Sequence, residues 1–116
     1  ALWENKCLGS KSWRDLEKSG LAVAKPVYAA QVAIYQAYLE LHEQPAIFTA
    51  VNADTMEIYA ELVPFDAALA QRMSDRALTV ISATEAGELL PRAFHDPTHF
   101  ECRMCAWQDR CWRNTP

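Results

Sequence analysis

The chain opens with Leu2-Trp3-Glu4-Asn5-Lys6-Cys7-Leu8, a polar middle bracketed by apolar residues, and Gly9-Ser10 ends the run. This predicts a short strand with Glu4 and Lys6 on one face and Asn5 and Cys7 on the other. Ser12 is the expected N-cap of a helix from Trp13 to Ser19, stopped by Gly20. Pro26 suits the first turn of the next helix, expected from Val27 to Leu41 and broken before Pro45. Ala46 to Val51 is a strand-type run, Asn52-Ala53-Asp54-Thr55 carries turn chemistry, and Glu57 to Val63 alternates polar and apolar. Together they predict an antiparallel hairpin. Asp66 then caps a long helix from Ala67 to about Ala83, with Leu69, Met73, Ala77, Val80 and Ile81 as its apolar face. Gly87 and Pro91 close that region, and from Phe94 onward little periodicity remains. The order predicts a small α/β unit with a mixed sheet.

At 116 residues, 51% of them hydrophobic and 22% charged, the chain has the size and composition of one folded domain. No apolar run is long enough for a membrane span, and no signal peptide is visible. The sequence starts within the first strand and without an initiator Met, so residues before Ala1 are expected in the natural protein. Net charge is −4, unevenly spread: residues 1–30 carry +2, residues 31–100 carry −7 and residues 101–116 carry +1. Basic groups thus concentrate at the two ends, where they can face a polyanion if the ends meet.

Three motifs carry chemistry. Glu4 and Lys6, two apart on a strand, set a carboxylate beside an ammonium. Glu4 can offer an oxygen to Mg²⁺ or Mn²⁺, and Lys6 can orient water or stabilise charge on a phosphate oxygen. E-x-K is common, and an exposed strand pair needs no chemistry to explain it. Gln31 and Tyr35 share a helix face at i, i+4, with Tyr28 and Tyr38 extending the stripe. These side chains can hold phosphate, water or bases, or can simply pack. The tail, "ECRMCAWQDRC", places Cys102, Cys105 and Cys111 at C-x2-C-x5-C spacing, a metal-ligand pattern in a reducing compartment. Cys7 and His99 are the fourth-ligand candidates in this chain, although Cys7 is expected to be a buried apolar thiol. Zinc accepts Cys₃His, whereas iron–sulfur clusters take four thiolates. Trp107 and Trp112 would shield such a centre, beside Arg103 and Arg110. His42 and His95 read as solvated.

In combination, the E-x-K strand, the Q-x3-Y helix 25 residues later, the hairpin, the long helix and C-x2-C-x5-C resemble the PD-(D/E)XK nuclease superfamily. The closest likeness is to its RecB-like branch, which includes phage exonucleases. "KPVYAAQVAIYQAYLEL", "AIFTAVNADTMEIYAELVPFD" and "ECRMCAWQDRCW" match the style of that branch. The resemblance implies a restriction-endonuclease-like mixed sheet flanked by helices, here lacking its N-terminal elements, with a Cys-rich C-terminal tail. Residues 1–100 would be the C-terminal part of the nuclease core and residues 101–116 the metal-binding tail of the same domain. It implies a cytoplasmic bacterial or phage-encoded DNA nuclease, with partners from a recombination or phage replication complex. It further implies Glu4 as a Mg²⁺ or Mn²⁺ ligand, Lys6 as the catalytic lysine, and Gln31 and Tyr35 as the supporting pair. Cys102, Cys105 and Cys111 would be ligands of a [4Fe–4S] cluster completed by an upstream cysteine. Within this chain alone, zinc with His99 is the alternative. The family's first metal-binding Asp lies on the strand before E-x-K, and no residue here matches it, so cleavage by this stretch alone is expected to be weak. The competing reading is a non-catalytic, metal-stapled module that binds nucleic acid or protein.

Overall fold

A computed structural model describes residues 1–113, so Asn114–Pro116 of the expected tail lie outside the described residues. The chain is mixed α/β. In order come β1 (Trp3–Leu8), α1 (Ser10–Ser19), α2 (Leu21–Ala24), α3 (Pro26–Tyr38), β2 (Ala46–Asn52), β3 (Ile58–Val63), α4 (Ala67–Ala86), α5 (Phe100–Arg103) and α6 (Gln108–Arg113). It forms two compact units, Ala1–Leu78 and Thr79–Pro116, which divide inside α4.

In the first unit the three strands lie in the order β1-β2-β3, with β1 parallel and β3 antiparallel to β2. A parallel pair needs a long crossover, and α1 to α3 supply it between β1 and β2. Register puts Glu4 opposite Phe48 and Lys6 opposite Ala50 on β2, and then Glu61 and Tyr59 opposite those two on β3. This face of the sheet carries the core. Phe48, Leu16, Leu21 and Val32 are fully buried, with Trp13, Ala29, Ala46 and Ala50 around them. The buried stripes are helical: Trp13 and Leu16 on α1, and Ala29, Val32 and Ala33, with the polar Gln36, on α3. The indole Nε1 of Trp13 donates to the Ala50 carbonyl at 2.9 Å, so the buried ring leaves no polar atom unpaired.

The opposite face is open. Trp3, Ile47, Ile58 and Leu62 are exposed there, and so is Cys7. The expectation of a buried Cys7 thiol is therefore corrected. The helices of this unit pack on the other face only, and the strand alternation turns Cys7 away from them.

Boundaries differ from expectation for local reasons. α1 begins at Ser10, not after Ser12, and its N-cap Gly9 offers no side chain. Instead the Ser10 hydroxyl and N–H both donate to Asp54 in the β2–β3 turn, and Asn52 accepts from the same hydroxyl at 3.2 Å. The start of α1 is thus fixed by a turn more than forty residues away, which no local signal reveals. α2 was not foreseen. Gly20 ends α1 with φ 75°, and the Glu61 carboxylate accepts from the Leu21 N–H at 2.8 Å, satisfying a free donor at the start of that short helix.

α3 stops at Tyr38, not Leu41. Glu40 takes φ 56°, while the Leu41 N–H reaches the Gln36 carbonyl and the Glu40 N–H that of Ala37. This Schellman ending has no glycine to announce it. α4 is capped as expected, with Asp66 accepting from the Leu69 N–H at 2.8 Å, but it runs on to Ala86 and ends at Gly87. Its predicted apolar face holds only in part. Leu69 packs on the core and Met73 is half-buried, but Ala77, Val80 and Ile81 are exposed. Of the twenty residues of α4 only Ala70 and Ala83 are buried, so most of its turns lie at the surface.

In the second unit, after the helical turns of α4, the chain is largely irregular until the two short helices α5 and α6. Arg92 donates through Nε and an Nη to the Cys111 carbonyl, at 3.0 and 2.7 Å, and lies over the Trp112 ring. No helix among the described residues is long and apolar enough to cross a membrane.

Candidate active site

β1 and α3 bring four residues into one line. Period two sets Glu4 and Lys6 on the core-bearing face, where their side chains are only 16% and 21% exposed. Lys6 Nζ lies 2.7 Å from Glu4 Oε1. The same ammonium donates to Gln31 Oε1 at 2.9 Å, and Gln31 Nε2 donates to the Tyr35 hydroxyl at 2.9 Å. The i, i+4 spacing on α3 makes the last contact possible.

The chemistry of each group orients the next. An ammonium has only donors, so the Gln31 amide must present its oxygen to Lys6 and its nitrogen to Tyr35. The Tyr35 oxygen therefore accepts, and its own hydrogen is left to donate outward. Tyr35 is the exposed end of the line, at 39%. A path thus runs from a sheltered carboxylate through an ammonium to a phenol that can meet a ligand. Ion pairs are weak evidence of stabilisation, so the pair's interest is chemical.

Tyr28, on the same stripe, holds its ring 4.8 Å from Lys6 Nζ and stacks against Phe48 at 6.4 Å. Tyr38 is separate: it is exposed and its hydroxyl lies 2.7 Å from that of Ser74. An open groove of about 300 Å³ beside Tyr38, Phe65 and Ser74 includes none of the four residues of the line.

The fit of a divalent cation is limited by carboxylates. Mg²⁺ is commonly held by one or two carboxylates with waters and substrate phosphates, and Glu4 suits one such place. The other acid on this face, Glu61, is committed: its Oε2 accepts from the Leu21 N–H and from the Tyr59 hydroxyl at 2.6 Å. Burial first, and then the bond to Glu61 and its charge, push the Tyr59 phenol up to about 12, so it stays a donor to that acid. Glu4, itself paired with Lys6 through Oε1, thus offers a single carboxylate, and among the described residues no three His, Cys, Asp or Glu side chains gather to hold an ion.

Among the described residues the cysteines form no such group either. Cys102 lies in α5, Cys105 follows it, and Cys111 lies in α6; all are free thiols, and Cys105 and Cys111 are exposed. One local feature suits a thiolate: the Trp107 N–H donates to Cys105 Sγ at 3.4 Å. His99 caps α5, its Nδ1 accepting from the Glu101 N–H at 3.3 Å, and its ring lies against Phe94 and Phe100. Trp107 is exposed and covers no thiol cluster. His42 is exposed with its ring 5.6 Å from that of Phe65, and His95 is exposed.

Sequence reasoning passed over the roles of Tyr28 and Glu61. The signal for Tyr28 was its place three residues before Gln31; Glu61 carried none, since the Leu21 N–H it accepts from lies forty residues away. No family model, curated protein or solved structure matches this chain.

Proposed function

We propose that this chain is the E-x-K and Q-x3-Y portion of a PD-(D/E)XK-type deoxyribonuclease with a restriction-endonuclease-like core. The observation that carries this reading is the unbroken line Glu4–Lys6–Gln31–Tyr35 on one sheet face. Hydrolysis of a phosphodiester adds water to phosphorus and expels an alkoxide, with charge growing on the non-bridging oxygens. Lys6 supplies positive charge for those oxygens, Gln31 holds its ammonium in place, and the outward Tyr35 hydroxyl donates to a phosphate oxygen. Glu4 would be one of the oxygen ligands of Mg²⁺ or Mn²⁺, which when bound polarises the phosphoryl group. On this reading DNA is the partner and a bacterial or phage-infected cytoplasm the setting. Cys102, Cys105 and Cys111 would be gathered around a [4Fe–4S] cluster, or zinc, when metal binds.

The test is Lys6→Ala in the complete polypeptide that bears this chain, assayed on linear DNA with Mg²⁺ or Mn²⁺. Cleavage should fall on the order of 10²–10³-fold or more, with DNA binding and folding retained. An unchanged rate would exclude Lys6 as a catalytic group. Binding of DNA without cleavage by the unsubstituted polypeptide would favour the non-catalytic module instead.

A further inference from the structure

We propose that the ring face of Tyr28 is the third support of the Lys6 ammonium, making Tyr28 a positioning residue for the proposed centre. The inference rests on the nuclease reading only for what Lys6 does, not for how it is held. An ammonium has three N–H bonds. Glu4 Oε1 and Gln31 Oε1 take two directions, and the Tyr28 ring stands 4.8 Å from the nitrogen. Nothing else is needed to fix the end of a flexible four-carbon arm.

The ring is itself fixed. Tyr28 follows Lys25, Pro26 and Val27 in the first turn of α3, and its ring stacks on Phe48 at an interplanar angle of 28°. Phe48 is fully buried and pairs with Glu4 across the β1–β2 ladder. One buried ring therefore lies beside both the strand position that carries the acid and the ring that holds the ammonium. The attraction of a cation to a ring face belongs to the π-system and not to the hydroxyl. Tyr28→Phe should therefore behave like the native residue, and Tyr28→Leu should not.

The experiment reads Lys6 directly. In an NMR spectrum of this chain, the Lys6 ε-methylene protons near the Tyr28 ring face should be displaced upfield of the other lysines. Tyr28→Phe should keep that displacement, and Tyr28→Leu should abolish it while the backbone amide signals away from Lys6, Tyr28 and Phe48 keep their folded dispersion. In the cleaving polypeptide, Tyr28→Leu should lower kcat about tenfold with KM little changed, and Tyr28→Phe should restore it. Undisplaced Lys6 signals in the native chain overturn the proposal, even if Tyr28→Leu fails to fold. Failure of Tyr28→Phe to restore kcat overturns it as well. Displaced signals in a polypeptide without nuclease activity support the Tyr28 contact and count against the nuclease reading alone.

Discussion

Two regions of this chain carry candidate chemistry, and the fold treats them differently. In residues 1–78, four side chains from two elements meet through contacts of 2.7 to 2.9 Å. In residues 79–113, three thiols within ten positions do not come together. The difference follows from what fixes the backbone. β1 is held in register by β2, and α3 is pressed onto the sheet by Val32, Ala29 and Gln36. Period two and i, i+4 then become distances. Among the described residues of the second region only Ala83 is buried, and α5 and α6 have four and six residues. Short helices without a core are marginal, so a spacing along the chain does not become a cage.

The largest expected effect would erase that contrast. If a metal centre orders the tail, loading it should contribute on the order of 10 kcal/mol to the folding of the second region. Anaerobically purified protein should then contain iron and sulfide, or zinc, in stoichiometric amount. Cys105→Ser should remove that metal and lower the melting temperature. A metal-free native tail, or a Cys105→Ser variant melting at the native temperature, would leave the tail to its aromatic and Arg92 contacts.

Next in size is the buried ring behind the polar line. Phe48→Ala should destabilise the first region by about 3–5 kcal/mol, read from denaturant unfolding. It should also release Lys6, because Tyr28 loses the ring it stacks on. An equivalent truncation of the exposed Leu62 on the open face should cost far less. Equal losses at the two positions would contradict the assignment of the core to one face.

The smallest effect lies at the β2–β3 turn. The Ser10 hydroxyl, and then the Ser10 N–H, hold the Asp54 carboxyl below the usual aspartate range. A depressed folded-state value means the contribution is complete above the unfolded value and is lost as pH falls through the folded one. Asp54→Asn should therefore melt lower than native protein near neutrality, and the gap should close below about pH 4. A gap independent of pH would show that the charge on Asp54 does not matter.

Much of this was legible in the residues, and the failures have particular causes. The strand faces of Glu4 and Lys6 and the pairing of Gln31 with Tyr35 needed only local periodicity. The Asp66 cap and the hairpin were equally local. The start of α1 was missed because Asp54, not Ser12, holds it. The end of α3 was missed because Glu40 adopts a conformation usually signalled by glycine. Cys7 was misplaced because sequence cannot say that helices cover only one face of the sheet. That Glu61 caps α2 while Glu4 pairs with Lys6 is a long-range division of the two acids on this face and has no local signature.

The central claim is that the sheltered line from Glu4 to Tyr35 is the functional centre and that Glu4 is its metal-facing end. Titration of the isotopically labelled chain with Mn²⁺, followed by paramagnetic line broadening, tests this most directly. Signals of Glu4, Asn5 and Lys6 and the Gln31 side-chain amide should broaden first, and Glu4→Gln should remove the effect. Broadening that begins at the acids of the β2–β3 turn, Asp54 and Glu57, and leaves residues 4–6 sharp would contradict the account.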